Sequence, residues 1–360
     1  MQVIPYYLIV SKFSIFYSMK KCFSDFSFLI VVLFSFSCSN DLEVLAPYEE
    51  NALIYGLLNP NSDTQFIKIN KLFTNPNQKA KDVAQISDSL YFDSINPVII
   101  EEQTGRIIPL YRANVLFKQS GIFSNSPNYL YATTEKIFPR IGNQNATYRL
   151  EVKLPKSGKV ISSVTNIPDY FTSIAPVNPS ILPKQISFPD SSSGFVNTRI
   201  QFTSPLKSKV FDGIFYFNYL EVNKSDTNIK IKKTLALHLF DGYRSTSDKR
   251  QENFNINYRG IYFYNNVLLK LKIDPNIERR FLPCEFTIFA GNLELDNYMQ
   301  ASKPSIGIVQ KQTDYSNITN GTGLFGAINV SKIDNIQLTS NSKKTFLNYK
   351  SLKPLGFTLN

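Results

Sequence analysis

Between residues 148 and 154 the chain alternates without a break. Tyr148, Leu150, Val152 and Leu154 are apolar or aromatic, and Arg149, Glu151 and Lys153 between them are charged. A period of two sends successive side chains to opposite faces of an extended backbone, so this segment is predicted to be a strand with one dry face and one wet face. The same reading extends to residues 52–58, 65–70, 108–117, 198–203, 214–222, 231–240, 257–264, 267–273 and 285–290. Turn-forming runs such as Pro60-Asn61-Ser62-Asp63 and Lys156-Ser157-Gly158-Lys159 separate them, as proline, asparagine and glycine do when a chain reverses. Many short strands without a long helical period predict a mostly β protein of sandwich or barrel type. One short helix is expected, residues 293–301, with Leu295 and Tyr298 on one face and Asn292 as its N-cap.

Prolines interrupt the alternation at 168, 176, 179, 183 and 189, followed by Ser191-Ser192-Ser193-Gly194. Proline donates no ladder hydrogen bond and fixes φ, so residues 166–189 are expected to run extended as a linker. The first unit would be residues 46–165, the size of an immunoglobulin-like β-sandwich. The second, residues 190–345, is a larger antiparallel β domain that carries most of the aromatics.

The start of the chain is a targeting segment rather than part of the fold. Met19-Lys20-Lys21 precedes a mostly apolar run over residues 26–36, and Ser35-Phe36-Ser37-Cys38 closes it. A basic start, a short apolar core and a small residue before the cut describe a secretory signal, whereas a spanning helix needs about 20 apolar residues. With cysteine at the cut, residues 19–37 resemble a bacterial lipoprotein signal peptide. Acylated Cys38 would then become the first mature residue, each buried CH₂ contributing ~0.8 kcal/mol to membrane binding. Residues 1–18 read as an upstream extension preceding the better start at Met19. The expected location is the cell envelope, anchored to the outer membrane and facing the periplasm or the exterior.

Composition narrows the chemistry. The chain has 39 basic and 28 acidic residues, a net charge of +11, but its lysines occur singly or in pairs such as Lys232-Lys233 and Lys343-Lys344. No basic stripe forms, so a nucleic-acid partner is not expected. Of the three cysteines, Cys22 leaves with the signal and Cys38 is acylated. Cys284 is then alone, no disulfide can form, and stability must rest on apolar burial. In Pro283-Cys284-Glu285-Phe286 it occupies a buried strand position.

Catalytic signals are sparse. His238 is the single histidine and falls on the strand face opposite Leu235, Leu237 and Leu239, and no G-x-S-x-G elbow accompanies it. His and Cys numbers exclude an ordinary zinc site, so no metal or cofactor is expected. Glu49-Glu50 and Glu101-Glu102 are neighbours, which on strands face opposite ways. A carboxylate-based hydrolase would need two such groups ~5–10 Å apart in a cleft. Gly321-Thr322-Gly323-Leu324-Phe325-Gly326 matches the dinucleotide pattern letter for letter, but a polar loop precedes it and the β-prone Ala327-Ile328-Asn329-Val330 follows. A glycine turn feeding a strand accounts for it.

Two aromatic clusters remain, Phe215-Tyr216-Phe217 and Tyr262-Phe263-Tyr264. Consecutive aromatics on a strand occupy both faces. Either both faces are covered and the rings are core, or one face presents them to a ligand or partner.

Several segments together resemble an uncharacterised family of outer-membrane lipoproteins, a domain of unknown function whose genes accompany TonB-dependent receptors. The matching pieces are Pro47-Tyr48-Glu49 with Leu53-Ile54-Tyr55-Gly56-Leu57-Leu58, the alternating strand ending at Leu154 with Gly158-Lys159, and Thr165-Asn166-Ile167-Pro168. The helix bearing Tyr298 and the run from Thr319 to Ala327 complete them. The resemblance implies an N-terminal transthyretin- or immunoglobulin-like β domain, a lipid anchor and no known enzymatic activity. Together these readings predict a non-catalytic envelope lipoprotein, a binding or accessory module for a TonB-dependent receptor. A structural or adhesive envelope role is the alternative, and the carboxylate hydrolase a third.

Overall fold

A computed structural model of the chain describes residues 50–72, 80–115, 121, 124, 127–175, 183–188, 190–191, 194–195, 197–303 and 315–359. The expected upstream extension and signal segment, and Cys38, lie outside the described residues. The described residues belong to one compact unit, Tyr48–Asn360.

The alternating segments become strands because each has an apolar face to hide. In the first half these are β1 (Asn51–Leu58), β2 (Gln65–Leu72), β3 (Val98–Glu101), β4 (Arg106–Pro109), β5 (Tyr111–Asn114), β6 (Tyr129–Thr133), β7 (Thr147–Lys153) and β8 (Val160–Asn166). Two short helices, α1 (Ala80–Ala84) and α2 (Ser87–Leu90), follow β2. The second half adds β9 (Asn197–Thr203), β10 (Val210–Asn223), β11 (Lys230–Arg244), β12 (Asn253–Arg259), β13 (Ile277–Phe281), β14 (Cys284–Gly291), β15 (Thr322–Leu338) and β16 (Phe357–Thr358). Its helices are α3 (Gly260–Lys270), α4 (Leu293–Ala301) and α5 (Ser340–Asn348). The molecule is mostly β, as the alternation predicts.

One sheet runs through both halves, in the order β16-β13-β10-β14-β15-β1-β2-β6-β5, with β11 on the far side of β10. A four-stranded sheet, β8-β7-β3-β4, shares a core with its β1-β2 end. There Ile54, Ile67 and Ile69 meet Tyr148, Leu150, Val152, Ile99 and Ile161. A second core, rich in phenylalanine, lies where β10, β11 and β14 meet β9, β12 and the helices α3 and α5. Phe188, Phe215, Phe217, Phe263 and Phe346 are its centre.

β15 joins the two. Phe325 and Ala327 near its start belong to the first core, and Ile333, Ile336 and Leu338 near its end belong to the second. It enters parallel to β1 and then pairs antiparallel with β14. The glycines of the dinucleotide-like run serve this crossing. Gly323 has φ +119°, and a Cβ there would stand 1.9 Å from the Ile54 carbonyl oxygen. No helix follows the motif, so it offers no helix N-terminus to a pyrophosphate.

Parts of the stretch 166–189 dock on the strands around them. Gln185–Ile186 pairs in parallel with β15, and Phe188 is fully buried against Phe263 with ring centroids 4.0 Å apart. At its beginning Asn329 Nδ2 donates to the carbonyls of Pro168 and Asp169. Its prolines 176, 179 and 189 lie outside the described residues.

Two segments depart from the alternation reading. Residues 260–270 form helix α3 rather than the ends of two strands, burying Gly260, Phe263, Tyr264 and Val267 at the i, i+3, i+4, i+7 spacing of one helical face. Helix α5 is a further helix where the reading expected only the one at 293–301, with Thr339 Oγ1 capping the Ser342 N–H. The predicted helix α4 is present with its predicted cap, Asn292 Oδ1 accepting from Leu295 N–H at 3.2 Å.

Candidate functional site

The aromatic clusters do not form a shared surface. Phe215 and Phe217 are fully buried, because odd positions of β10 face the second core, and only Tyr216 between them points the other way. The second cluster sits on α3, where 100° per residue turns Phe263 and Tyr264 inward and leaves Tyr262 outside at 48% exposure. The Tyr264 hydroxyl donates to the Phe188 carbonyl at 2.9 Å. Four of the six candidate rings are therefore core, and Tyr216 and Tyr262 stand apart on different elements.

The acid–base candidates are also dispersed. His238 is exposed on β11. Cys284 is 2% exposed, donates to the Leu282 carbonyl at 3.4 Å, and burial pushes its thiol up to about 11, the opposite of an activated thiolate. Glu101 and Glu102 face opposite ways. Glu101 is buried with Arg106, Thr104 and the Tyr148 hydroxyl, while Glu102 accepts from Arg149 on the wet face. Glu50 accepts the N–H groups of Lys156 and Ser157, closing the turn after β7. Among the described residues, no three His, Cys, Asp or Glu side chains converge on a point where a metal could sit.

What gathers instead is an apolar face on β1, β2 and α4. β1 is apolar at nearly every position, so its even residues Ala52, Ile54 and Leu58 fill the first core while Leu53, Tyr55 and Leu57 project from the other side. The register sets Tyr55 between Lys68 of β2 and Leu324 of β15, one step from Gly56 opposite Ile67. Phe66 extends this face beside Leu57. Tyr55, Leu57 and Phe66 remain 38%, 40% and 45% exposed. From α4, Leu295, Tyr298 and Met299, one helical face by their i, i+3, i+4 spacing, lean over the same strands. Between helix and sheet runs a groove of about 590 Å³, lined by Tyr55, Leu57, Phe66, Leu295, Tyr298 and Met299, with the turn residues Asn59, Ser62 and Thr64 at its end.

The groove is rigidly framed. The Gln65 side chain, 2% exposed, accepts from Asn59 N–H and donates to the Asn59 carbonyl, both at 2.9 Å, and so fixes the β1-β2 turn. On the other side Arg244 Nε donates to Asp296 Oδ1 at 2.6 Å and Gln300 donates to the same oxygen, tying α4 to β11. Tyr55 and Tyr298 meet edge to face at 6.0 Å between ring centroids. Burial, with the Tyr298 hydroxyl hydrogen-bonded to it, pushes the Tyr55 phenol up to about 12. The Tyr55 ring therefore stays neutral and hydrogen-bond capable at physiological pH. The face was legible in one respect only: a strand reading Ala-Leu-Ile-Tyr-Gly-Leu-Leu has no polar side, which signals cover or use on both faces.

No helix among the described residues is long and apolar enough to cross a membrane. The sequence matches no protein-family model and is similar to no curated protein. Among solved structures the chain is similar to a DUF4785 family protein from Legionella pneumophila, at 12% identity and a TM-score of 0.22, over 66% of this chain and 52% of that one. The chain thus spans about half the length of that structure, and a TM-score that low establishes no common fold.

Proposed function

We propose that this protein is a non-catalytic, lipid-anchored module of the cell envelope, held on the outer membrane by Cys38 and acting as a binding accessory to a TonB-dependent receptor. The observation that carries the binding part is the exposed apolar groove between α4 and the β1-β2 face. Monomeric proteins seldom leave contiguous apolar surface open without use, and Tyr, Phe and Met are the residues that contact surfaces favour. The anchor and the receptor rest on the sequence pattern around Cys38 and on the resemblance to envelope lipoproteins.

Two measurements test the reading. A photo-crosslinking residue placed at Phe66 in cells should yield an adduct with an outer-membrane receptor, and the same residue at Tyr262 on α3 should not. Adducts at neither position, or equally at both, would discard the groove as the contact. A clickable palmitate analogue should label the wild-type protein and not Cys38→Ala; equal labelling of both would remove the anchor.

A further inference from the structure

On the side of Tyr55 away from α4 lies a second, smaller cavity of about 260 Å³, lined by Leu53, Tyr55, Lys68, Asn70, Lys71, Leu72 and Leu90. Most of this wall is apolar. Its polar members are unusual. Asn70 is only 7% exposed, and its Oδ1 is buried without a hydrogen-bond partner. Buried amide oxygens are nearly always satisfied, because leaving one unpaired is costly. Lys68, two residues earlier on the same strand face, is half-buried and makes no hydrogen bond or ion pair with any described residue. Lys71 is engaged differently, its Nζ donating to the Asp88 carbonyl at 3.0 Å and lying 6.0 Å from the Phe92 ring centre. The cavity therefore combines an apolar lining and one ammonium lacking an anion, with an unsatisfied amide oxygen occluded just behind its wall.

We infer that this cavity binds a small anionic amphiphile carrying an N–H or O–H donor. The apolar body would lie on Leu53, Leu72 and Leu90 beside the Tyr55 ring. Its donor would satisfy Asn70 Oδ1, reached by turning the amide about its soft terminal torsion, and its anionic group would pair with Lys68. The volume falls just below the range of about 300–1,000 Å³ usual for small-molecule sites, so the ligand, or the part of it enclosed, is small. This inference rests on the binding-module reading, naming a small-molecule site next to the protein-contact groove, but its test needs no receptor.

Anilinonaphthalene sulfonate has an apolar ring system, one N–H and one sulfonate, and serves as the probe. Titrated into the purified full chain, it should bind saturably at one site. Lys68→Gln and Asn70→Leu should each weaken binding about tenfold, the loss of one charged or buried hydrogen bond. Leu72→Trp, a change at a partly exposed rim residue that fills the cavity, should abolish binding while leaving the thermal midpoint unchanged, which separates occupancy from folding. Phe66→Ser, in the neighbouring groove, should leave the probe's affinity within twofold. Non-saturable binding, or affinity lost in Phe66→Ser and kept in the Lys68 and Leu72 variants, would overturn the inference. Failure of the Phe66 crosslink with intact probe binding would instead count against the receptor contact alone.

Discussion

Asn292 shows how one side chain can hold several elements. It is 1% exposed; its Oδ1 caps α4, and its Nδ2 donates to Thr165 Oγ1 at 2.7 Å and to the Asn166 carbonyl at 3.0 Å. Asn292→Ala should cost about 2–4 kcal/mol, combining a lost cap of about 1 kcal/mol with buried groups left unpaired. Asn292→Asp keeps the cap but not the two donors, so its urea midpoint should fall between wild type and alanine with an unchanged slope. A second residue sets a pH dependence. Burial, then the neighbouring Asp241 carboxylate, raises the Asp212 carboxyl above its ordinary value against the opposing Gly242 N–H, which donates at 2.6 Å. A carboxyl raised in the folded state holds its proton better there than in the unfolded chain. Its contribution to stability is therefore complete below the unfolded pKa of ~3.9 and is lost as pH rises through the folded value. Asp212→Asn keeps an oxygen for Gly242 and removes the buried charge. Its melting temperature should exceed that of wild type at neutral pH, with the difference vanishing in acid; a larger gain in acid than at neutrality would refute the assignment.

At the level of elements, α3 separates residues that sequence alone could not. Phe263→Ala should cost about 3–5 kcal/mol, because the ring is fully buried against Phe188, Phe217 and Phe346. Tyr262→Ala, one position earlier, should cost under about 1 kcal/mol in the same denaturation assay. Equal effects would mean that 260–270 is not helical. The strands were readable wherever one face is wet: β7, with Arg149, Glu151 and Lys153 outside, occurs where its alternation places it. α3 was not, because Ile261-Tyr262-Phe263-Tyr264 has the aromatic content of a strand and its helical spacing emerges only when Gly260 and Val267 are counted with Phe263 and Tyr264. The groove was hidden for a related reason. It is built by α4 and β1, more than 200 residues apart, and nothing local in either announces the other. The aromatic clusters that drew attention were instead the densest part of the core, as large rings usually are.

For the whole molecule, the central question is whether residues 46–165 fold alone. The proline-rich stretch suggests a boundary there, yet the sheet pairings cross it. β1 is held on one side by β2 and on the other by β15, from Leu53 opposite Thr322 to Leu58 opposite Ala327. Phe325, fully buried, and Ala327 complete the first core from the far end of the chain, and Ser162 of β8 bridges Thr319. A fragment of residues 46–165 lacks β15 and Thr319. It would expose the inner edge of β1 as a row of unpaired N–H and C=O groups beside an unfilled core, a combination that favours aggregation over folding. The full chain, with β15 common to both cores, should melt in a single calorimetric transition whose van't Hoff and calorimetric enthalpies agree. The fragment should give no cooperative transition. Disrupting the crossing with Gly323→Val, which drives a side chain into the Ile54 carbonyl at a positive φ, should destabilise both cores together rather than the first alone. Two resolved transitions in the full chain, or a sharp transition in the fragment, would show that the halves are independent and that β15 merely touches the first of them.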